Sequence, residues 1–166
     1  MGVYGALCLY RMGWRSMEAK FTGYDEVKRK LDVLADEKAA KRIARRSARK
    51  AMNIVRDAAR QNAKAIDDLD TDEMIWKNIS TQGGRIRDSN AIKMRVGVRG
   101  GASFSNPEPP NTSGGDTRHW RWVEYGRSGA MAFPFMRPAL ATNIDAVTAK
   151  FAEEFKAGVD EELSKA

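Results

Sequence analysis

Between Glu37 and Asp67 the chain runs without a single Gly or Pro and is rich in Ala. Ile43, Ala48, Met52, Val55, Ala59 and Ile66 follow one stripe at helical spacing, so this run predicts one long amphipathic helix. At about 1.5 Å per residue it reaches roughly 45 Å, and the rest of the chain must be arranged along it. Its other faces carry Lys41, Arg42, Arg45, Arg46, Arg49, Lys50, Arg56, Arg60 and Lys64. Such a basic surface, with Arg42, Arg45, Arg46, Arg49 and Arg56 at its centre, has three readings: a solvated face, a surface directed at DNA, or one directed at an acidic neighbour. No aromatic residues interleave with these charges, so base stacking is not supported. The formal net charge of +7 favours an acidic partner without specifying the fold.

A length of 166 residues suits one domain with a real core, and the 42% hydrophobic and 31% charged content is that of a soluble globular protein. No apolar run approaches the roughly 18 residues of a membrane span, so no membrane partner is expected. The single cysteine, Cys8, rules out an internal disulfide, and with one histidine besides, a Cys/His zinc site is excluded. Residues 1–16 hold an apolar patch from Val3 to Tyr10 without the basic lead or the small-residue cleavage site of a signal peptide. They read as a disordered arm or an over-long start, with a single domain over 17–166.

Ahead of the long run, Tyr24 to Ala35 predicts a first helix. Thr22 and Asp25 are its candidate caps, and Val27, Leu31 and Leu34 form a face that needs covering. Asp67 to Asp72 resembles a calcium-loop fragment but lacks the sixth-position Gly and the distal Glu, and so reads as an acidic turn ending the helix. Met74 to Ser80 reads as a short helical turn or a strand, and Gly83-Gly84 breaks it. Ala91 to Val98 alternates, with Ile92, Met94, Val96 and Val98 on one side, and predicts an antiparallel strand. Residues 99–117, rich in Gly, Pro, Ser and Asn, predict a mobile excursion between two strands, within reach of a neighbouring subunit.

From Arg118 to Leu140 the information is densest. Trp120, Val123 and Tyr125 around Arg121 and Glu124 suit a half-buried strand ending at Gly126. Glu124 then lies on a sheet face with Arg121, Arg127 or Arg137 as an ordinary ion partner. Gly129 permits a turn, Pro134 sets an extended segment, and Pro138 fits the first turn of a helix. That helix begins near Arg137 and runs to about Leu163. Its stripe of Leu140, Ile144, Val147, Phe151 and Phe155 is expected to pack on the sheet. Its acidic end, Asp160 to Glu162, offers a pairing surface to the basic helix of another subunit. The fold class is therefore α+β: a small antiparallel sheet packed against a long N-terminal helix and a C-terminal helix.

No GxSxG, phosphate loop or HExxH occurs, and His119 beside Trp120 reads as structural or surface-exposed. No catalytic, metal or cofactor site is expected, and the chain reads as a non-enzyme.

Two blocks carry a family resemblance: Trp122-Val123-Glu124-Tyr125-Gly126-Arg127 and Pro134-Phe135-Met136-Arg137-Pro138-Ala139-Leu140. With the helical first half, they resemble the HK97 gp10-like family of tailed-phage proteins over roughly residues 17 to 160. Arg127 stands where many relatives carry Thr. The resemblance implies a structural virion protein at the head–tail interface or proximal tail end, made in the bacterial host cytoplasm and acting in tail completion or head–tail joining. It implies assembly as a ring, six-fold to match a tail tube, with tail-tube or tail-terminator and head-connector proteins as neighbours. Trp122, Glu124, Tyr125, Gly126, Phe135, Arg137 and Pro138 are then the candidates for holding the domain or the subunit contact. The alternative is a basic nucleic-acid-binding module built on the long helix, with non-specific contact to DNA.

Overall fold

A computed structural model describes residues 24–67, 70–88, 91–101, 103–105, 108 and 111–165. The arm expected over 1–16 and the candidate cap Thr22 lie outside the described residues. The architecture is α+β, as expected: helix α1 (Tyr24–Ala35), the long α2 (Glu37–Ala65), α3 (Ile75–Asn78), strands β1 (Ile79–Gly83) and β2 (Met94–Val98), then α4 (Trp120–Tyr125), α5 (Met136–Ala141) and α6 (Ile144–Leu163).

Helix α2 is the spine. Asp36 caps it, its carboxylate accepting from the Lys38 N–H at 3.0 Å. Its buried residues are Ala39, Ile43, Ser47, Ala51, Val55, Ala59 and Ala63, each four from the last. A row of that kind is inclined by about 26° to the helix axis, so neighbours that fill it cross α2 at an angle. The stripe read from sequence is right at Ile43, Val55 and Ala59; Ile66 lies beyond the helix and is 40% exposed. Small side chains let α6 come close: a Cβ on Gly158 would stand 2.6 Å from Ile43 Cγ2.

The two strands pair antiparallel from Ile79↔Val98 to Gly83↔Met94. Ile79 and Val98 join Val55, Ala59, Ala63, Ile75, Phe135 and Ala139 in the core. Arg60 ties α2 to β1 by donating from Nε and Nη2 to the Ile79 carbonyl at 3.0 and 2.8 Å. Met74 to Ser80 thus contains both elements that its sequence allowed, a helical turn and then a strand.

Four expectations need correction. Trp120 to Tyr125 is a helix and not a strand. Trp120, Val123 and Glu124 turn inward while Arg121, Trp122 and Tyr125 face out, which is the i, i+3, i+4 grouping of a helix and not the alternation of a strand. The last helix is broken at Thr142 and Asn143, whose side chains donate back to the carbonyls of Pro138 (2.9 Å) and Ala139 (2.8 Å), the kind of bond that bends helices. The stripe expected to pack on the sheet does so only at Val147, which meets the core: α6 lies chiefly along α2, and Leu140 of α5 with Ile144 and Phe151 of α6 stay exposed. Val27 and Leu31 of α1 are exposed as well.

The described parts of the 99–117 segment are held at both ends. Arg99 N–H donates to the Asn78 carbonyl at 2.8 Å, and Trp120 Nε1 donates to the Gly101 carbonyl at 3.0 Å. The returning limb is bound by Asn78, which is fully buried. Its Nδ2 lies 2.9 Å from Thr112 Oγ1 and 2.8 Å from Thr117 Oγ1, and its Oδ1 accepts from Gly114 N–H at 3.1 Å. Gly114 is there because a Cβ would meet the Met74 carbonyl oxygen at 2.3 Å.

Candidate functional site

The segment from α4 to α5 closes on itself around Glu124, whose residue exposure is only 1%. The carboxylate sits at the N-terminus of α5. Oε2 accepts from the backbone N–H groups of Phe135 (2.7 Å) and Met136 (2.9 Å), and Oε1 accepts from Arg137 N–H (3.0 Å) and Arg137 Nε (3.1 Å). Arg137 closes the loop by donating from Nη2 to the Glu124 carbonyl at 2.9 Å. These are the orphan donors of a helix N-terminus, met here by a carboxylate from another element. Burial by itself raises the Glu124 carboxyl; the N–H groups of Met136, Phe135 and Arg137 and the Arg137 guanidinium outweigh it and hold the group below the usual carboxylate range. Of the three arginine partners expected, Arg137 is the one observed.

Each nearby residue has a part in this clasp. Phe135 is fully buried in the core, and its carbonyl accepts from Asn62 Nδ2 at 3.1 Å. Pro138 is the third residue of α5, inside its first turn, where no donor is missed. Gly126 has φ 77° and ψ 173°, a region essentially open only to Gly, and a Cβ there would lie 3.2 Å from both the Ala130 oxygen and the Ala132 nitrogen. Gly129, at φ 81°, turns the chain between the bridged residues Arg127 and Ala130.

Outside the clasp the surface is aromatic and cationic. Phe104 stacks on Trp122 with ring centres 5.1 Å apart; Arg118 lies 4.8 Å over Phe104 and Arg127 lies 5.1 Å over Trp122. The resulting ladder runs Arg118, Phe104, Trp122, Arg127. Arg118 is itself fixed by Asp116 at 2.7 Å, and Arg137 covers Tyr125 at 4.9 Å. Trp122, Tyr125, Met131 and Phe133 are exposed, Met131 by 77%. The residues singled out from sequence therefore divide: Glu124, Gly126, Phe135, Arg137 and Pro138 build the clasp, while Trp122 and Tyr125 face out from it. Sequence reasoning missed Phe104 and Asn78. A lone amide between the apolar residues Ile75, Trp76 and Ile79 was the signal for the second; nothing local marks the first. His119 Nδ1 lies 3.5 Å from Glu73.

The structure also sorts the basic surface. Arg42, Arg46 and Lys50 meet Glu162, Glu161 and Glu154 of α6 at 2.8, 2.9 and 2.5 Å, and Lys30 of α1 meets Asp160 at 3.7 Å. Hydrogen bonding from Lys50 lowers the Glu154 pKa, and Lys165 together with Arg46 lowers that of Glu161. The acidic end of α6 is thus paired with the basic helix of its own chain. Arg56 pairs with Asp57 at 2.8 Å. Arg45 and Arg49 have no ion pair among the described residues.

Fold and site together define a small α+β protein that displays aromatic and arginine side chains on a clasped segment. The chain belongs to the HK97 gp10-like family: the family model described as "Bacteriophage HK97-gp10, putative tail-component" matches residues 25–126. This is a family of bacteriophage tail components, and the match runs from the second residue of α1 through α4 and ends at Gly126, within the first block and ahead of the second. No curated protein and no solved structure matches the chain. Among the described residues no helix is long and apolar enough to cross a membrane.

Proposed function

We propose that this protein is a structural component of the virion, located at the head–tail interface or the proximal tail end, where it completes the tail or joins it to the head. It works as a ring, with tail-tube or tail-terminator and head-connector proteins above and below. One observation carries this reading: the exposed ladder of Phe104, Trp122 and Arg127, with Tyr125, Met131 and Phe133 beside it, rides on the Glu124 clasp. Trp, Tyr and Arg dominate binding energy at protein interfaces, and a preformed segment loses little freedom on docking. A ring repeats one heterologous contact, so a single such face suffices per subunit. The role we propose is non-enzymatic, a reading that membership of a phage tail family supports, and Glu124, the one carboxylate that the sequence marked for attention, accepts from four donors as part of the clasp.

The test is electron microscopy of a lysate from the parent phage carrying an early stop at Tyr24. Filled heads beside separate tails of normal length support joining or completion, and overlong tails point to termination. Intact infectious particles overturn the proposal. Trp122→Ala with Tyr125→Ala should give a folded subunit that fails to enter particles.

A further inference from the structure

On the side of α2 away from α6, the hairpin loop after β1 comes back over the helix and encloses an open groove of about 550 Å³. Arg45 and Arg49 of α2 line it together with Arg85 and Lys93 of the loop; Asp88 is the only carboxylate in its lining among the described residues. All four cations are exposed, and none has an ion pair or side-chain hydrogen bond among the described residues. Lys93 is placed by the backbone: Gly84 N–H donates to the Lys93 carbonyl at 2.8 Å, and the Lys93 stem crosses Gly84 where a Cβ would come within 2.9 Å of its Cγ and Cδ.

We propose that this groove binds the phosphodiester backbone of nucleic acid, without reading its sequence. Arginine forks match phosphate oxygens bidentately, and cations held close together without partners repel one another until a polyanion arrives. A contact of this kind positions and neutralises; it carries no base information. Among the described residues no aromatic lines the groove, so the lining offers no platform for stacking. An acidic segment from a second copy is the weaker candidate, because Glu154, Asp160, Glu161 and Glu162 of the acidic helix are already engaged by Lys50, Lys30, Arg46 and Arg42 of their own chain. The groove and the aromatic ladder are built from different elements, so this inference stands whether or not the tail-end reading holds.

The full chain is titrated into a short fluorescein-labelled DNA duplex of mixed sequence, and anisotropy is followed at several salt concentrations. With four phosphates neutralised, affinity should fall roughly a hundredfold between about 50 and 200 mM NaCl. Arg45→Gln with Arg49→Gln should reduce the slope of log affinity against log salt by about two, and Lys93→Gln alone by about one. Arg46→Gln, which removes a paired cation of the same helix, should leave the slope nearly unchanged. Circular dichroism of each variant should match that of the parent. The proposal is overturned if the duplex does not bind at about 50 mM salt, if the groove variants keep the parental slope, or if Arg46→Gln lowers it equally. Displacement of the duplex by polyglutamate at equal charge concentration would reassign the groove to an acidic protein.

Discussion

Glu124 and the pair Arg45 and Arg49 are charges in opposite circumstances. Glu124 is buried and meets four donors at the N-terminus of α5, whereas Arg45 and Arg49 are exposed and meet no acid among the described residues. Between them stand Arg42, Arg46 and Lys50, exposed but paired across to α6. A buried charge survives only when every lone pair is used, so Glu124 is committed to holding α4 and α5 together. An exposed, unpaired charge costs the fold little and remains available to a partner. Position relative to the other elements, and not residue type, separates structural charge from binding charge in this molecule.

The comparison breaks most sharply at Glu124. Glu124→Ala leaves three backbone donors and a guanidinium without their acceptor, and should cost about 3 kcal/mol in a urea titration. A loss near zero would mean that the clasp does not contribute to folding. The same residue should give the protein an acid limit. Its folded pKa lies below its unfolded value, so its contribution is complete above about pH 4.3 and is lost as pH falls through the depressed folded pKa. Glu154 and Glu161 are depressed too, so the informative quantity is the difference between parent and Glu124→Gln, which should shrink only below that pH.

Gly126→Ala comes next, at about 2 kcal/mol, since its backbone conformation is one that side chains resist. The Trp122 emission spectrum would report whether the ladder moves with it. A smaller effect is expected from Glu154→Gln with Glu161→Gln. The urea midpoint should fall slightly at low salt and not at all near 1 M NaCl, as for exposed pairs. By freeing Lys50 and Arg46, the same change should steepen the salt dependence of duplex binding, making the paired face resemble the unpaired one. Smallest of all, Arg45→Gln with Arg49→Gln should leave the urea midpoint in place while weakening the duplex.

Several elements were legible in advance for physical reasons. Helix α2 was readable because a long run without Gly or Pro lets a weak periodicity accumulate over many turns. Strand β2 alternates cleanly, and Pro138 can sit only at the start of a helix. Helix α4 was not readable: six residues rich in aromatics satisfy both periods, and β-propensity misled because the only sheet described has two strands and gives Trp120 to Tyr125 no partner. The stripe of α6 was visible as a stripe, but its neighbour was not, and Leu140, Ile144 and Phe151 proved to face outward.

The sequence by itself determined the spine, the family and the excess of positive charge, because each of these depends on residues close together in the chain. Only the tertiary structure decided that Glu124 would reach Arg137, that Asn78 would hold Thr112 and Thr117, and which arginines of α2 would be paired. Arg45 and Arg46 are neighbours in the chain with the same side chain, yet about 100° of helical rotation turns one towards the acids of α6 and the other towards Arg85 and Lys93.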